Sequence, residues 1–144
     1  VSHEGTIEDY LGVKVDKHPD AFELTQPQLI DSILFDLHLL PPNTSNQENP
    51  TKTKVTPAAV TKLLGPDLDG PKFDYDWHYR SVIGKLNYLE KTSRPDISYA
   101  VHCCARFMAD PKRSHGEAVK RYLLSTRGKG IFLRPDKNKS FECF

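Results

Sequence analysis

The sequence has no long apolar run and few cysteines, and each absence excludes a class of protein. No stretch approaches the roughly 18 consecutive apolar residues of a membrane-spanning helix, and the polar start Val1-Ser2-His3-Glu4-Gly5 is not that of a signal peptide. The three cysteines, Cys103, Cys104 and Cys143, are odd in number and include no pair spaced for zinc, which argues against a secreted disulfide framework. We therefore expect a cytoplasmic or nuclear protein with reduced thiols and no membrane partner.

Composition and length predict a fold with a modest core. Hydrophobic residues make up 38% of the 144 residues, below the usual share, and charged residues make up 27%. This length suffices for one ordinary domain or for two small subdomains. The chain has no initiating Met and ends at Cys143-Phe144 within an apolar segment, so we expect both ends to be cut from a longer polypeptide.

Motifs for catalysis and metal binding are also missing. Asp67-Leu68-Asp69-Gly70 resembles the start of a calcium loop but is followed by no closing glutamate. The side chains of His102-Cys103-Cys104 cannot all reach one ion, because successive residues on a helix point about 100° apart. Asp74 and Asp76 are a closely spaced acidic pair, and one of them is more simply a helix cap than a magnesium ligand. We predict no catalytic residue, no metal site and no cofactor in this chain.

Charge is distributed unevenly along the sequence. The formal net charge is +1, but residues 1–76 carry 6 Lys and no Arg against 13 Asp or Glu, whereas residues 106–139 carry 10 Lys or Arg against 3 acids. A basic final third is the usual footprint of a surface that faces phosphates, although blocks of charge also occur on faces that are only solvated. Both interpretations stay open at this point.

Apolar spacing predicts a β-hairpin and a helix in residues 1–40. Residues 10–15 and 22–25 alternate apolar with polar or small side chains, which favours two paired strands. Apolar residues then recur at helical spacing and predict an amphipathic helix over about 27–39, with Pro27 in its first turn. Residues 41–73 shift to Pro, Asn, Thr, Gly and Lys, so we expect a flexible connector there.

Residues 74–128 are predicted to form a bundle of three helices. Asp74 or Asp76 is expected to cap the first, and Ser93-Arg94-Pro95-Asp96 to open the second. Ser114 is a natural cap for the third, which would place His115 on an exposed first turn.

The last segment, residues 129–144, is predicted to form a C-terminal β-hairpin from strands at about 131–133 and 141–144. The predicted fold class is therefore α+β. It comprises an N-terminal hairpin and helix, a long loop, a small helical bundle and a C-terminal hairpin.

Basic side chains on the predicted helices are the candidate functional residues. Lysine and arginine there can neutralise phosphates, and nearby tyrosines can stack on sugars or bases. The alternative is that the tyrosines belong to the core and that the charges only keep the chain soluble. The candidates are Arg80, Lys85, Arg94, Lys112, Arg113, Lys120 and Arg121, with Tyr79, Tyr88 and Tyr99 between them.

Several strings resemble one family of polyproteins. The run Tyr79-Arg80-Ser81-Val82-Ile83-Gly84-Lys85-Leu86-Asn87-Tyr88-Leu89 and the string Arg94-Pro95-Asp96-Ile97-Ser98-Tyr99-Ala100-Val101 are similar to the segment after the polymerase in copia-type retrotransposon polyproteins. Tyr10-Leu11-Gly12-Val13-Lys14-Val15 and Leu24-Thr25-Gln26-Pro27 resemble the hairpin and helix that follow the catalytic strand. The resemblance covers nearly the whole chain except the loop at 41–71.

The resemblance implies a reverse transcriptase segment that lies between the polymerase active site and ribonuclease H. Leu11 and Gly12 would form a primer grip, the helix at about 27–39 would begin the thumb, and the basic helices would follow the primer–template duplex. Both sets of catalytic carboxylates, with their Mg²⁺, would lie in the polymerase and ribonuclease H domains outside this chain. The implied chain is non-catalytic and binds those two domains and a primer–template nucleic acid, the latter weakly and without sequence preference.

A second hypothesis is a protein-interaction module derived from such an element, with no role in nucleic-acid binding. Exposed strand edges pair readily with other chains. The candidate edges are the one that contains Leu11, Val13 and Val15 and the one that contains Ile131 and Leu133.

Overall fold

Within the residues that the structure describes, a four-stranded sheet and four α-helices form the fold. The computed structural model describes residues 9–39, 64–124 and 129–135. The predicted α+β class is confirmed. In chain order the elements are β1 (Asp9–Tyr10), β2 (Val13–Lys17), β3 (Phe22–Thr25), α1 (Pro27–Asp36), α2 (Tyr79–Thr92), a 3-10 turn (Pro95–Ile97), α3 (Ser98–Ala105), α4 (Arg113–Leu124) and β4 (Ile131–Leu133).

The sheet is antiparallel throughout, in the order β1-β2-β3-β4. Tyr10 lies opposite Val13, so Leu11 and Gly12 form a two-residue turn between β1 and β2. Their φ angles of 52° and 77° are both positive, as a type I′ turn requires. The prediction of one continuous strand over residues 10–15 was therefore wrong, whereas the pairing of β2 with β3 confirms the predicted hairpin.

The C-terminal strand joins the N-terminal hairpin. β4 pairs with β3, and Phe22 lies opposite Leu133. Gly130 allows this close approach, because a Cβ on it would lie 2.3 Å from the carbonyl oxygen of Leu24. The strand at 131–133 is thus confirmed, but its observed partner is β3, and the predicted partner at 141–144 lies outside the described residues.

Helix packing forms the hydrophobic core. α2 packs against both α1 and α3, and α3 also packs against α4. The residues predicted from helical spacing supply the buried faces, because removing apolar side chains from water favours this packing. The core includes Ile30, Ile33 and Leu34 on α1 with Leu37 directly after it, and Val82, Ile83, Leu86 and Leu89 on α2. It also includes Ile97 in the 3-10 turn, Val101 and Cys104 on α3, and Val119 on α4. None of the helices in the described parts of the chain could cross a bilayer, since none is both long and apolar enough.

The predicted helix caps were wrong. α2 begins after His78, and neither Asp74 nor Asp76 caps it, since His78 holds the capping position without a side-chain hydrogen bond. α4 begins at Arg113, so Ser114 lies within its first turn. There the Ser114 hydroxyl donates to Asp67 Oδ2 at 2.5 Å, a partner distant in sequence.

Part of the predicted flexible connector packs against α4. Within residues 64–73, the carbonyl oxygen of Pro71 accepts a hydrogen bond from the Arg113 backbone amide at 3.1 Å. Lys72 and Lys112 form an isolated β-bridge. The rest of the connector, residues 41–63, lies outside the described residues.

Candidate nucleic-acid interface

The tip of the β1–β2 hairpin presents an apolar side chain to solvent. Leu11 is 73% exposed although it is large and aliphatic. At Gly12 a Cβ would meet no described atom within 4 Å, so its positive φ, and not lack of space, favours glycine there. The tip is therefore a small, accessible projection of backbone and one leucine side chain.

The conformation of this tip is strained and held in place. Non-glycine residues with positive φ are uncommon, and such a conformation costs on the order of 1 kcal/mol. Asn is favoured over Leu at the first position of a type I′ turn. The Tyr88 hydroxyl of α2 donates to the Leu11 carbonyl oxygen at 3.0 Å, which ties the turn to the helical region.

Arg80 and Arg113 are the exposed members of the predicted basic set. Arg80 Nε donates to the Met108 carbonyl oxygen at 3.2 Å. Arg113 Nη1 lies 3.4 Å from Asp74 Oδ2, and both side chains are more than half exposed. The exposed pair of Arg113 with Asp74 contributes little to stability, so Arg113 can leave Asp74 for an external phosphate. The exposed Arg80 can reach a phosphate as well.

Lys120 is engaged with an aromatic ring. Its Nζ lies 4.2 Å from the centroid of Tyr75, and the Arg113 guanidinium lies 5.9 Å from the same centroid. The Tyr75 hydroxyl donates to Glu117, and burial together with that carboxylate raises the pKa of Tyr75. Two carboxylates, Asp74 and Glu117, thus accompany the two cations around this ring.

Two predicted phosphate contacts have internal partners. Lys85 Nζ lies 2.6 Å from Asp36 Oδ2 and 2.8 Å from Ser32 Oγ, which joins α2 to α1. Lys112 Nζ lies 3.0 Å from Asp110 Oδ2, and the lysine side chain is mostly buried. The amino groups of both lysines therefore have partners within the fold and are less available to a ligand.

Arg94 is not on the surface, which corrects its placement among the exposed phosphate contacts. The side chain is fully buried, and its Nε and Nη2 donate to the two carboxylate oxygens of Asp96 at 2.7 and 2.8 Å. The hydrogen bonds from Arg94 lower the pKa of Asp96. An arginine enclosed in this way stabilises the 3-10 turn and cannot reach a phosphate. The side chain of Arg121 lies outside the described residues.

Part of the uneven charge of the sequence is compensated within the fold. Acidic residues from the first half lie against basic residues of the second half, as Asp36 does with Lys85 and Asp74 with Arg113. On the sheet, Asp20 Oδ2 lies 3.9 Å from Arg134 Nε. Some of the basic residues of the second half therefore have acidic partners within the described residues.

His115 is buried, and its predicted exposure was wrong. Its Nδ1 accepts a hydrogen bond from the Lys112 backbone amide at 2.9 Å, and its Nε2 lies 2.8 Å from the Gly65 carbonyl oxygen. The ring also stacks on Phe107 with centroids 4.2 Å apart. Local sequence gave no signal of this role, because Gly65 is contributed by the predicted connector.

A second buried polar group joins α2 to α3. The Glu90 side chain is 3% exposed, and its Oε1 lies 3.0 Å from His102 Nε2. Ser98 donates a hydrogen bond to its other oxygen. The hydrogen bond from Ser98 is the largest cause that lowers the pKa of Glu90, and His102 acts in the same direction.

The three tyrosines have different environments. Tyr79 is buried and donates to the Cys104 carbonyl oxygen at 3.0 Å, which agrees with the alternative that the tyrosines belong to the core. Tyr88 and Tyr99 are exposed. In the described parts of the chain, no group of three or more His, Cys, Asp or Glu side chains could hold a metal ion.

Comparison with known proteins identifies relatives among transposon polyproteins. The chain is 33% identical over 138 residues to the retrovirus-related Pol polyprotein from transposon RE1 of Arabidopsis thaliana, and 30% identical over 138 residues to that from transposon RE2. Each match covers 94% of this chain but 9% of the relative. An uncharacterized mitochondrial protein of the same plant is 27% identical over 143 residues, which cover 97% of this chain and 55% of that protein.

These relatives define the class: the chain is a homologue of retrovirus-related Pol polyproteins of transposons. The resemblance to copia-type retrotransposon polyproteins that the sequence strings predicted is confirmed. The chain spans about a tenth of the length of the Pol polyproteins it matches. No family model matches the chain, and no solved structure matches it.

Proposed function

We propose that this chain is a non-catalytic segment of a copia-type Pol polyprotein that binds a primer–template duplex through the tip of its β1–β2 hairpin. The observation that carries the proposal is the exposed, strained leucine at that tip. A non-glycine residue held at positive φ is unfavourable for the isolated fold, so the backbone strain at this exposed leucine suggests a role in contact with something else. The glycine beside it allows close approach of backbone to a ligand.

The ligand proposed for the tip is the sugar–phosphate backbone. Backbone amides and side chains that contact sugars and phosphates bind nucleic acid without reading its sequence. Arg80 and Arg113 are the cations best exposed to contribute charge. This proposal includes the primer-grip and thumb roles that the resemblance implies. It also includes binding to the polymerase and ribonuclease H domains, to which we assign the Mg²⁺ chemistry.

A Leu11→Asn variant tests the proposal, because Asn favours the type I′ turn but removes the apolar side chain. Its affinity for an RNA–DNA hybrid duplex is compared with that of the parent chain by fluorescence anisotropy. We expect weaker binding by roughly fivefold or more, with no loss of thermal stability. The matched control is Leu68→Asn, another highly exposed leucine, which should bind as the parent chain does.

Equal affinities of the parent chain and Leu11→Asn would contradict a role for the tip in binding. A salt series on the same duplex separates the contribution of the cations. Replacing Arg80 or Arg113 by Gln should each reduce the salt dependence of log Kd by about 1, as loss of one phosphate contact does. An unchanged slope would remove that arginine from the interface.

The edge of the sheet favours a second candidate function, a protein-interaction module. β4 has one neighbouring strand, β3, among the described residues, and Phe132 and Leu133 on it are about half exposed. An unpaired edge with apolar side chains can accept a strand from another protein. Co-purification of a stoichiometric protein partner without nucleic acid, lost in a Phe132→Lys variant, would favour this candidate over duplex binding.

A further inference from the structure

The outward side of α3 carries a set of polar and aromatic side chains at helical spacing. Tyr99, Cys103 and Arg106 are separated by four and three residues, so they lie along one side of the helix. The opposite side is buried through Ala100 and Cys104 among others. We call the outward side, formed by Tyr99, His102, Cys103 and Arg106, the α3 outer face.

The Tyr99 ring is accessible to a ligand. It is 64% exposed and lies one turn before Cys103 on the same side of the helix. Exposed aromatic rings are the usual platforms on which unpaired bases stack.

The charge of the α3 outer face favours a polyanion. Ser98–Ala105 contains no Asp or Glu, and the exposed Arg106 follows it directly. Arg80 reaches the same end of α3, where its Nε donates to the Met108 carbonyl oxygen. The acidic partner of His102 is Glu90, whose carboxylate is buried, so it presents no exposed negative charge.

We propose that the α3 outer face binds single-stranded RNA or DNA, with an unpaired base stacked on Tyr99 and a neighbouring phosphate at Arg106. Seven residues of helix separate the two, a rise of about 10 Å, so both contacts can come from one short stretch of strand. Stacking on an aromatic side chain requires a base that is not paired. The ligand therefore differs from the duplex proposed for the hairpin tip, and the two proposals can fail separately.

The experiment measures binding of a fluorescent oligothymidylate about ten nucleotides long, within the usual site size of single-strand binders. Tyr99→Ala should weaken binding roughly tenfold, the effect expected for loss of one stacked base. Tyr99→Phe should retain most of the affinity, because the ring remains. The matched control is Phe132→Ala, which removes an exposed aromatic ring from β4 and should leave the affinity unchanged.

Two further variants make the result specific to this face. Arg106→Gln should reduce the salt slope of log Kd by about 1, whereas Lys17→Gln, an exposed cation on β2, should not. Leu68→Asn, at an exposed leucine that neither proposed site uses, should leave oligothymidylate binding intact. A Tyr99→Ala variant with parental far-ultraviolet circular dichroism and parental affinity would overturn the proposal, and so would an equal loss in Phe132→Ala.

Discussion

The helical region and the sheet contain similar pairs of residues in different environments. In the helical region each of two charged pairs contains one enclosed side chain: Arg94, which is 0% exposed and pairs with Asp96, and Glu90, which is 3% exposed and pairs with His102. On the sheet, in the pairs of Arg134 with Asp20 and of His18 with Glu23, every side chain is at least 22% exposed. The comparison indicates that charged groups of the helical region hold the fold together, whereas those of the sheet add little to it.

The string from Arg94 to Val101, one of those that resemble the copia-type polyproteins, lies at a packing contact. It contains a buried arginine, its carboxylate partner and the serine that donates to Glu90. These residues contribute to packing of α2, the 3-10 turn and α3. The residues proposed to meet a ligand lie at the hairpin tip and on exposed surfaces.

The largest expected effect is in the Arg94→Ala variant. The Arg94 side chain is fully enclosed, so truncating it leaves a cavity and removes two hydrogen bonds from the Asp96 carboxylate, and we expect a cost of about 2 to 3 kcal/mol. Arg134→Ala on the sheet removes an arginine from an exposed pair and should change the free energy of unfolding by less than about 0.5 kcal/mol. Urea unfolding of both variants measures the difference. Similar midpoints for the two would contradict the contrast between the regions.

The helices could be predicted from sequence because their information is local. Ile30, Ile33 and Leu37, for example, repeat at helical spacing and are buried where that spacing places them. The same local pattern could not indicate that Leu11 and Gly12 interrupt a strand. Leucine is not a usual residue at positive φ, and only the pairing of Tyr10 with Val13 makes the turn evident.

The candidate site was predicted less well because its charges have distant partners. Asp36 and Gly65 precede the residues they contact, Lys85 and His115, by about fifty positions. Residue type and spacing identify a lysine on a helix, but they do not show which carboxylate will approach it once the chain folds. The burial of His115 against Gly65 was therefore beyond sequence reasoning.

The second effect concerns the histidines of the two regions. His115→Ala removes two hydrogen bonds and a ring stacked on Phe107, so we expect a loss of about 2 kcal/mol. His18→Ala on the sheet removes an exposed pair with Glu23 and should cost less than about 0.5 kcal/mol. Thermal unfolding followed by circular dichroism provides the measurement, and a loss in His18→Ala as large as in His115→Ala would be inconsistent with this account.

The third effect depends on pH. The pKa of folded Glu90 lies below its ordinary value of 4.5, so its ionised form stabilises the fold at neutral pH. That contribution is fully present above the unfolded pKa and is lost as the pH falls through the folded pKa. Glu90→Gln should therefore reduce stability at pH 7 by about 1 kcal/mol and flatten the acid limb of the stability profile.

Glu23→Gln provides the matched change on the sheet, where the glutamate also faces a histidine. Urea midpoints of both variants are measured from pH 7 down to pH 3. At pH 7 we expect Glu23→Gln to lower the urea midpoint less than Glu90→Gln does, because the Glu23 side chain is 22% exposed and that of Glu90 is 3% exposed. A parental acid limb in Glu90→Gln would contradict the contribution assigned to that carboxylate.

The smallest effect is a gain in stability at the hairpin tip. Leu11→Asn relieves an unfavourable backbone conformation at positive φ, and we expect an increase of about 0.5 to 1 kcal/mol in the free energy of unfolding. Thermal unfolding of the isolated chain is sufficient to detect it. A decrease would mean that the Leu11 side chain supports the fold, and its exposure would then need no ligand to account for it.

The most direct test of the central claim is nuclear magnetic resonance of the labelled chain titrated with an RNA–DNA hybrid duplex. The account predicts chemical-shift changes at the backbone amides of residues 10–13 and near Arg80 and Arg113, with little change around the enclosed Arg94. Changes confined to the buried helical region, or no change at the tip when the duplex is bound, would contradict a hairpin that contacts nucleic acid.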